Sequence, residues 1–134
     1  MFGKKKDPSL FEEGPAFTAA ARAFHALTQE RDWGKAAAAY HEAYLLCIEN
    51  ATTVKQLALL GEVCMWYGFA LRNLYDVESV SERKAPTKDQ LKAVQQIRLL
   101  WTETLDVYKK IPYEAHRMDA KMIDQIRTHW IMPE

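Results

Sequence analysis

Apolar residues recur at three- and four-residue spacings along most of the chain, and no stretch of useful length alternates as a strand would. The pattern predicts an all-α, five-helix domain of antiparallel helical hairpins with a C-terminal closing helix. Pro15, whose missing N–H suits a first helical turn, opens the first helix. From Ala16 to Arg31 its stripe is Phe17, Ala20, Ala21, Phe24 and Leu27. Asp32 is placed to cap a second helix, from Trp33 to about Glu49, with a core face of Trp33, Ala36, Tyr40, Ala43, Tyr44 and Cys47. Asn50-Ala51-Thr52 reads as a turn. Thr53 with Gln56 has capping-box spacing and opens a third helix that runs to about Tyr75. Thr87 with Gln90 repeats that spacing for a fourth helix ending near Lys110, with Leu91, Val94, Ile97, Trp101, Leu105 and Tyr108 inward. Pro112 interrupts the chain, and a final helix carries Ala115, Met118, Met122, Ile126 and Trp130.

The third helix is apolar on nearly every side between Leu57 and Leu71, as expected of a helix surrounded by others. Glu62 interrupts it, and the run falls short of the about 20 apolar residues that span a bilayer, so it reads as a core helix with no membrane insertion. Gly61 and Gly68, seven residues apart, share a face that admits a close neighbour, although each weakens the helix by roughly 1 kcal/mol relative to alanine. Residues 1–14 read as a flexible lead-in. Residues 15–134 read as one domain, with a long exposed loop at 76–87.

Composition agrees. Of the 134 residues 49% are hydrophobic and 27% charged, a globular balance rather than a disordered one. Lysine plus arginine total 18, as do aspartate plus glutamate, so a formal charge of zero gives no bulk attraction for nucleic acid or an anionic membrane. Met1-Phe2-Gly3-Lys4-Lys5-Lys6 has a basic start but no apolar run after it, and a cytoplasmic setting is expected. Cys47 and Cys64 both sit among apolar neighbours, which favours two reduced core thiols over a disulfide.

Candidate chemistry is sparse. No His-Glu-x-x-His, Gly-x-Ser-x-Gly or phosphate-binding glycine pattern occurs, and no catalytic residue, metal site or cofactor is expected. His116 and Asp119, one turn apart, read as solvated side chains. Glu62 is the most informative carboxylate, because burying its charge alone is expensive; it should face solvent, a cleft, or a basic partner such as Arg22 or Arg98. Trp130, Ile131 and Met132 form an apolar tip that either docks on the domain itself or makes a homodimer contact.

The segment Asp32-Trp33-Gly34-Lys35-Ala36-Ala37-Ala38-Ala39-Tyr40-His41-Glu42-Ala43 resembles the second helix of a tetratricopeptide repeat, with Trp33, Ala36, Tyr40 and Ala43 at that family's aromatic and small positions. The resemblance spans about residues 17–47. The preceding helix departs from it, with Phe24 where a small residue is usual and Ala23 beside it, and with Leu27 at an aromatic position. A second copy at the family's period of about 34 residues finds no hairpin break in the long third and fourth helices, so a repeat-like first hairpin is expected rather than a solenoid. The resemblance implies a non-enzymatic module that binds a protein or peptide segment in a helical groove, as an adaptor, chaperone or regulatory partner. It points to Arg22, His25 and Gln29 on the first helix, with Glu62 as a neighbour. Two other readings stay open: a small-ligand sensor or enzyme with a pocket lined by Trp66, Tyr67, Glu62 and His25, and a structural dimerisation unit.

Overall fold

The computed structural model describes residues 14–77, 86–112, 117 and 119–124, which are helical apart from short connections and contain no strand. The helices are α1 (Pro15–His25), continued by a π-helical turn (Ala26–Glu30), α2 (Trp33–Cys47), α3 (Val54–Leu74), α4 (Lys88–Tyr108) and a closing segment, α5, at 119–124. The fold is all-α with five helices, as the periodicity predicts.

Local chemistry sets the helix starts. Asp32 accepts from the Lys35 backbone N–H at 3.0 Å and caps α2. Both capping boxes form: Gln56 N–H donates to Thr53 Oγ1 at 3.2 Å while Thr53 N–H donates to Gln56 Oε1 at 3.1 Å. The Thr87–Gln90 pair does the same at 3.0 Å in each direction. Each box satisfies backbone donors that a helix start leaves without partners. Gln90 also ties two helices together, since its Nε2 donates to the carbonyls of Tyr75 and Asp76 at the end of α3, at 3.2 and 3.4 Å.

The first helical run ends at Glu30, beside the expected Arg31, and its last turn is not α-helical. Its ladder widens into a π-turn at Ala26, and Arg31 adopts the left-handed region at φ 54°. Asp32 N–H then reaches back to Ala26 O at 3.0 Å, so the chain reverses within two residues and α2 returns against α1. Arg22 of α1 meets Glu42 of α2 at 3.7 Å.

α3 lies between α2 on one side and α4 on the other, and this explains its apolar circumference. The α3–α4 pair is antiparallel and unusually close. Gly61 lies under the Tyr108 ring and Gly68 under the Trp101 indole; a Cβ on Gly68 would overlap Trp101 Nε1 and stand 2.8 Å from its Cδ1 and Cε2. Trp101 Nε1–H donates to Met65 O at 3.1 Å, between the two glycines. Thr104 Oγ1 lies 3.1 Å from both Gly61 O across the interface and Leu100 O on its own helix, and its single proton serves the two.

Three expected faces are corrected. On α1 the buried stripe is Ala16, Ala19, Ala23 and Ala26, while Phe17 and Phe24 remain 46% and 45% exposed. Small alanines let α1 approach the Ala36–Ala43 face of α2, an arrangement that a phenylalanine between the helices would block. On α4, Leu100 and Thr104 are buried whereas Leu91 and Leu105 sit at the edge of the core. On α5, Ile123 is fully buried and Met122 is exposed. Ala115, Met118, Ile126 and Trp130 lie outside the described residues, as does most of the expected 76–87 loop.

Candidate functional site

Turning the phenylalanines outward has a consequence. Phe17, Ala20, Ala21 and Phe24 of α1 face Leu59, Glu62, Val63 and Trp66 of α3, with Tyr40 of α2 between them, around a concavity of about 330 Å³. Its wall is aromatic: Phe24 packs edge-on against Trp66 at 5.4 Å between ring centroids, and Trp66 continues to Phe69 at 5.6 Å. The volume is at the lower end of the range of small-ligand and anchor pockets, and the lining has their usual composition of apolar walls with few polar groups.

Two of the lining residues are polar. Glu62 is half-buried on α3. Tyr40 is 2% exposed, and its hydroxyl has no hydrogen-bond partner among the described residues. Burial pushes the Tyr40 hydroxyl well above the usual phenol range, and the Glu62 carboxylate pushes it further. Tyr108 is raised in the same way, first by burial, then by Glu62, Asp119 and Cys64. The Glu62 carboxylate is therefore felt by two buried tyrosines on different helices. A buried hydroxyl without a partner costs about 1–3 kcal/mol, a cost that a bound polar group would relieve.

The sequence-predicted partner residues are only partly assembled here. Glu62 lines the concavity. Arg22, His25 and Gln29 are exposed and outside its lining: Arg22 meets Glu42, and His25 Nε2 lies 3.3 Å from Glu30. Glu30 also accepts from Lys35 Nζ at 2.8 Å, a contact that raises the lysine's pKa. The expected ligand pocket divides in the same way. Trp66 and Glu62 line the α1–α3 concavity, whereas Tyr67, one residue on, faces a smaller one with Leu71, Tyr75, Asp89, Lys92, Ala93 and Gln96. Tyr67 shares a 3.1 Å hydrogen bond with His41 Nδ1 on α2. The aromatic groove itself escapes sequence reasoning because Phe17 and Phe24 fit a core stripe equally well; the alanines one position away, at 16 and 23, were the available signal. Trp130, Ile131 and Met132 lie outside the described residues.

Among the described residues, no group of three or more His, Cys, Asp or Glu side chains is placed to hold a metal, and no helix is long and apolar enough to cross a membrane. Cys47 and Cys64 are reduced and fully buried. Burial pushes the Cys47 thiol up to about 12, and raises Cys64 through burial first, then Glu103 and Cys47. Raised thiols are poor nucleophiles near neutrality, so these belong to the core.

They also make stability pH-dependent. Unfolded thiols ionise near pH ~8.5, while the folded ones stay protonated, so the unfolded chain releases protons first. The stabilisation is complete below the unfolded value and is lost as pH climbs toward about 12. Urea midpoints should fall over that window by about 1.4 kcal/mol of unfolding free energy per pH unit for each thiol. Cys47→Ala should give a shallower slope; an unchanged slope in that variant contradicts the assignment.

No protein-family model, curated protein or solved structure matches the chain.

Proposed function

We propose that the protein is a non-enzymatic interaction module, an adaptor, chaperone or regulatory partner, that receives a segment of another protein in the groove between α1 and α3. The observation that carries this reading is the outward aromatic face of α1. Phe17 and Phe24 are nearly half exposed and meet Trp66 across a concave surface instead of lying scattered singly. Clustered aromatics in a concavity are the usual energetic centre of a recognition surface, because they supply large apolar area with little side-chain entropy to lose.

The likeness of α1 and α2 to a tetratricopeptide hairpin supports the same reading. Ala36, Tyr40 and Ala43 are buried in the core and Trp33 packs partly buried against it. Ala23, beside the departing Phe24, is fully buried. Arg22, His25 and Gln29 then act as a polar rim, while the apolar contact belongs to the groove. Two reduced, buried thiols suit a cytoplasmic setting.

Selection of a displayed random-peptide library on the full chain tests this, with affinities of recovered peptides measured by calorimetry. Recovered peptides should carry apolar anchors and lose at least about tenfold in affinity against Phe24→Ala and Trp66→Ala, because central aromatic anchors dominate such interfaces. Arg22→Ala, at the rim, should change little. Phe24 is nearly half exposed, so its replacement should leave the helical circular dichroism intact. Peptides that bind both aromatic variants as tightly as the parent would end the proposal.

A further inference from the structure

We infer that the groove between α1 and α3 is occupied at rest by the chain's own N-terminal segment, with Leu10 and Phe11 seated between Phe17 and Leu59, and that a partner segment binds by displacing it. The inference rests on the docking reading above and adds the regulation of that site.

The place where the segment joins the fold carries it. Residues 1–13 lie outside the described residues and meet them at Gly14, the N-cap of α1. The first turn of that helix holds Phe17, which lines the concavity, so the segment is tethered at one mouth of the groove. Phe24 packs on Trp66, and one heptad back on the two helices Phe17 and Leu59 line the same concavity. Phe11 is three residues from Gly14, a reach of at most ~10 Å. The groove from Phe17 to Phe24 spans seven helical residues, again about 10 Å. A chain that turns back ahead of Gly14 therefore delivers Leu10 and Phe11 to the near half of the groove.

The chemistry of the two surfaces agrees. Leu10 and Phe11 are the one pair of adjacent large apolar residues between Lys4 and Gly14, flanked by Ser9 and by Glu12-Glu13. The concavity offers apolar walls, with Phe17 and Phe24 nearly half exposed. Such a surface favours whichever apolar side chain is most concentrated beside it. A short tether supplies a local concentration on the order of millimolar, so a contact too weak to hold a free peptide is still populated.

A photoreactive p-benzoylphenylalanine in place of Phe11 tests the contact in the full chain. Irradiation of the dilute monomer should give an internal cross-link to α3 within residues 59–66, a contact that connectivity alone does not supply. Attachment only within α1, to another element or between copies would overturn the occupancy. Displacement is read separately, with the peptides recovered by selection. The double variant Leu10→Ser/Phe11→Ser should bind them about tenfold more tightly than the parent, the factor expected when the local concentration is about ten times the segment's own dissociation constant. Trp130→Ser, which removes the other apolar tip, should leave the affinity as in the parent. Peptides that depend on Phe24 yet bind the parent and the double variant alike, or that gain only from Trp130→Ser, would overturn this inference and leave the docking reading standing. Recovery of no peptide that depends on Phe24 would overturn both.

Discussion

Trp101→Ala should lower the unfolding free energy by about 4 kcal/mol, within the range for emptying a buried tryptophan site. Trp101 is fully buried against Phe69, at 5.0 Å between ring centroids, and rests on the bare backbone at Gly68. Its removal forfeits the transfer free energy of a large ring and leaves a cavity. It also deprives the Met65 carbonyl of the indole N–H, a bond of 3.1 Å in a dry interface. A domain of this size is stable by ~5–15 kcal/mol, so the loss is a large part of the total. Urea unfolding followed by helical circular dichroism should show a lower midpoint with little change in slope. A loss below about 1.5 kcal/mol would mean that the α3–α4 interface is not packed as described.

Gly68→Ala should also destabilise, by about 2 kcal/mol, although alanine is the better helix former. Two effects oppose each other. Alanine adds roughly 1 kcal/mol of helix propensity. Its Cβ, however, would stand 2.8 Å from two indole carbons and closer still to Nε1, inside any normal contact distance. Overpacking of that kind costs typically 1–3 kcal/mol and more where the neighbour is held, and Trp101 is held by its bond to Met65. The steric effect wins. The sharper test is the double variant: once Trp101 is alanine, nothing of the indole opposes the new methyl, and Gly68→Ala should become stabilising by up to ~1 kcal/mol. The implied coupling of about 2–3 kcal/mol is measured by a double-mutant cycle. A coupling near zero would refute direct contact. Gly61, under the Tyr108 ring, should behave in the same direction.

Much of the architecture is legible in the residues themselves. Asp32, Thr53–Gln56 and Thr87–Gln90 set helix starts because a cap is complete within one turn of chain and needs nothing distant. The two glycines announce a close neighbour because nothing else explains them in a helix of that length. Glu62 is legible as an exception, since a carboxylate in an apolar run must be placed somewhere specific. What surrounds it needed the fold: Tyr40 lines the same concavity, and the Glu62 charge raises the pKa of both Tyr40 and Tyr108 on two other helices.

The helices, their caps and the glycine seam are written in the residues, because all of them depend on interactions within a few residues or on the absence of a side chain. Which face of each helix is inside was settled by packing between helices. On α1 both alanines and phenylalanines fall at helical spacing. The choice was made by the Ala36–Ala43 face of α2, which rewards backbone approach and turns Phe17 and Phe24 toward Trp66. Thr104 is buried for the same kind of reason, since the side chain missing at Gly61 exposes a carbonyl to its hydroxyl. Helix formation is local, but burial is a property of pairs of surfaces, and the groove exists because two such surfaces preferred their smallest residues.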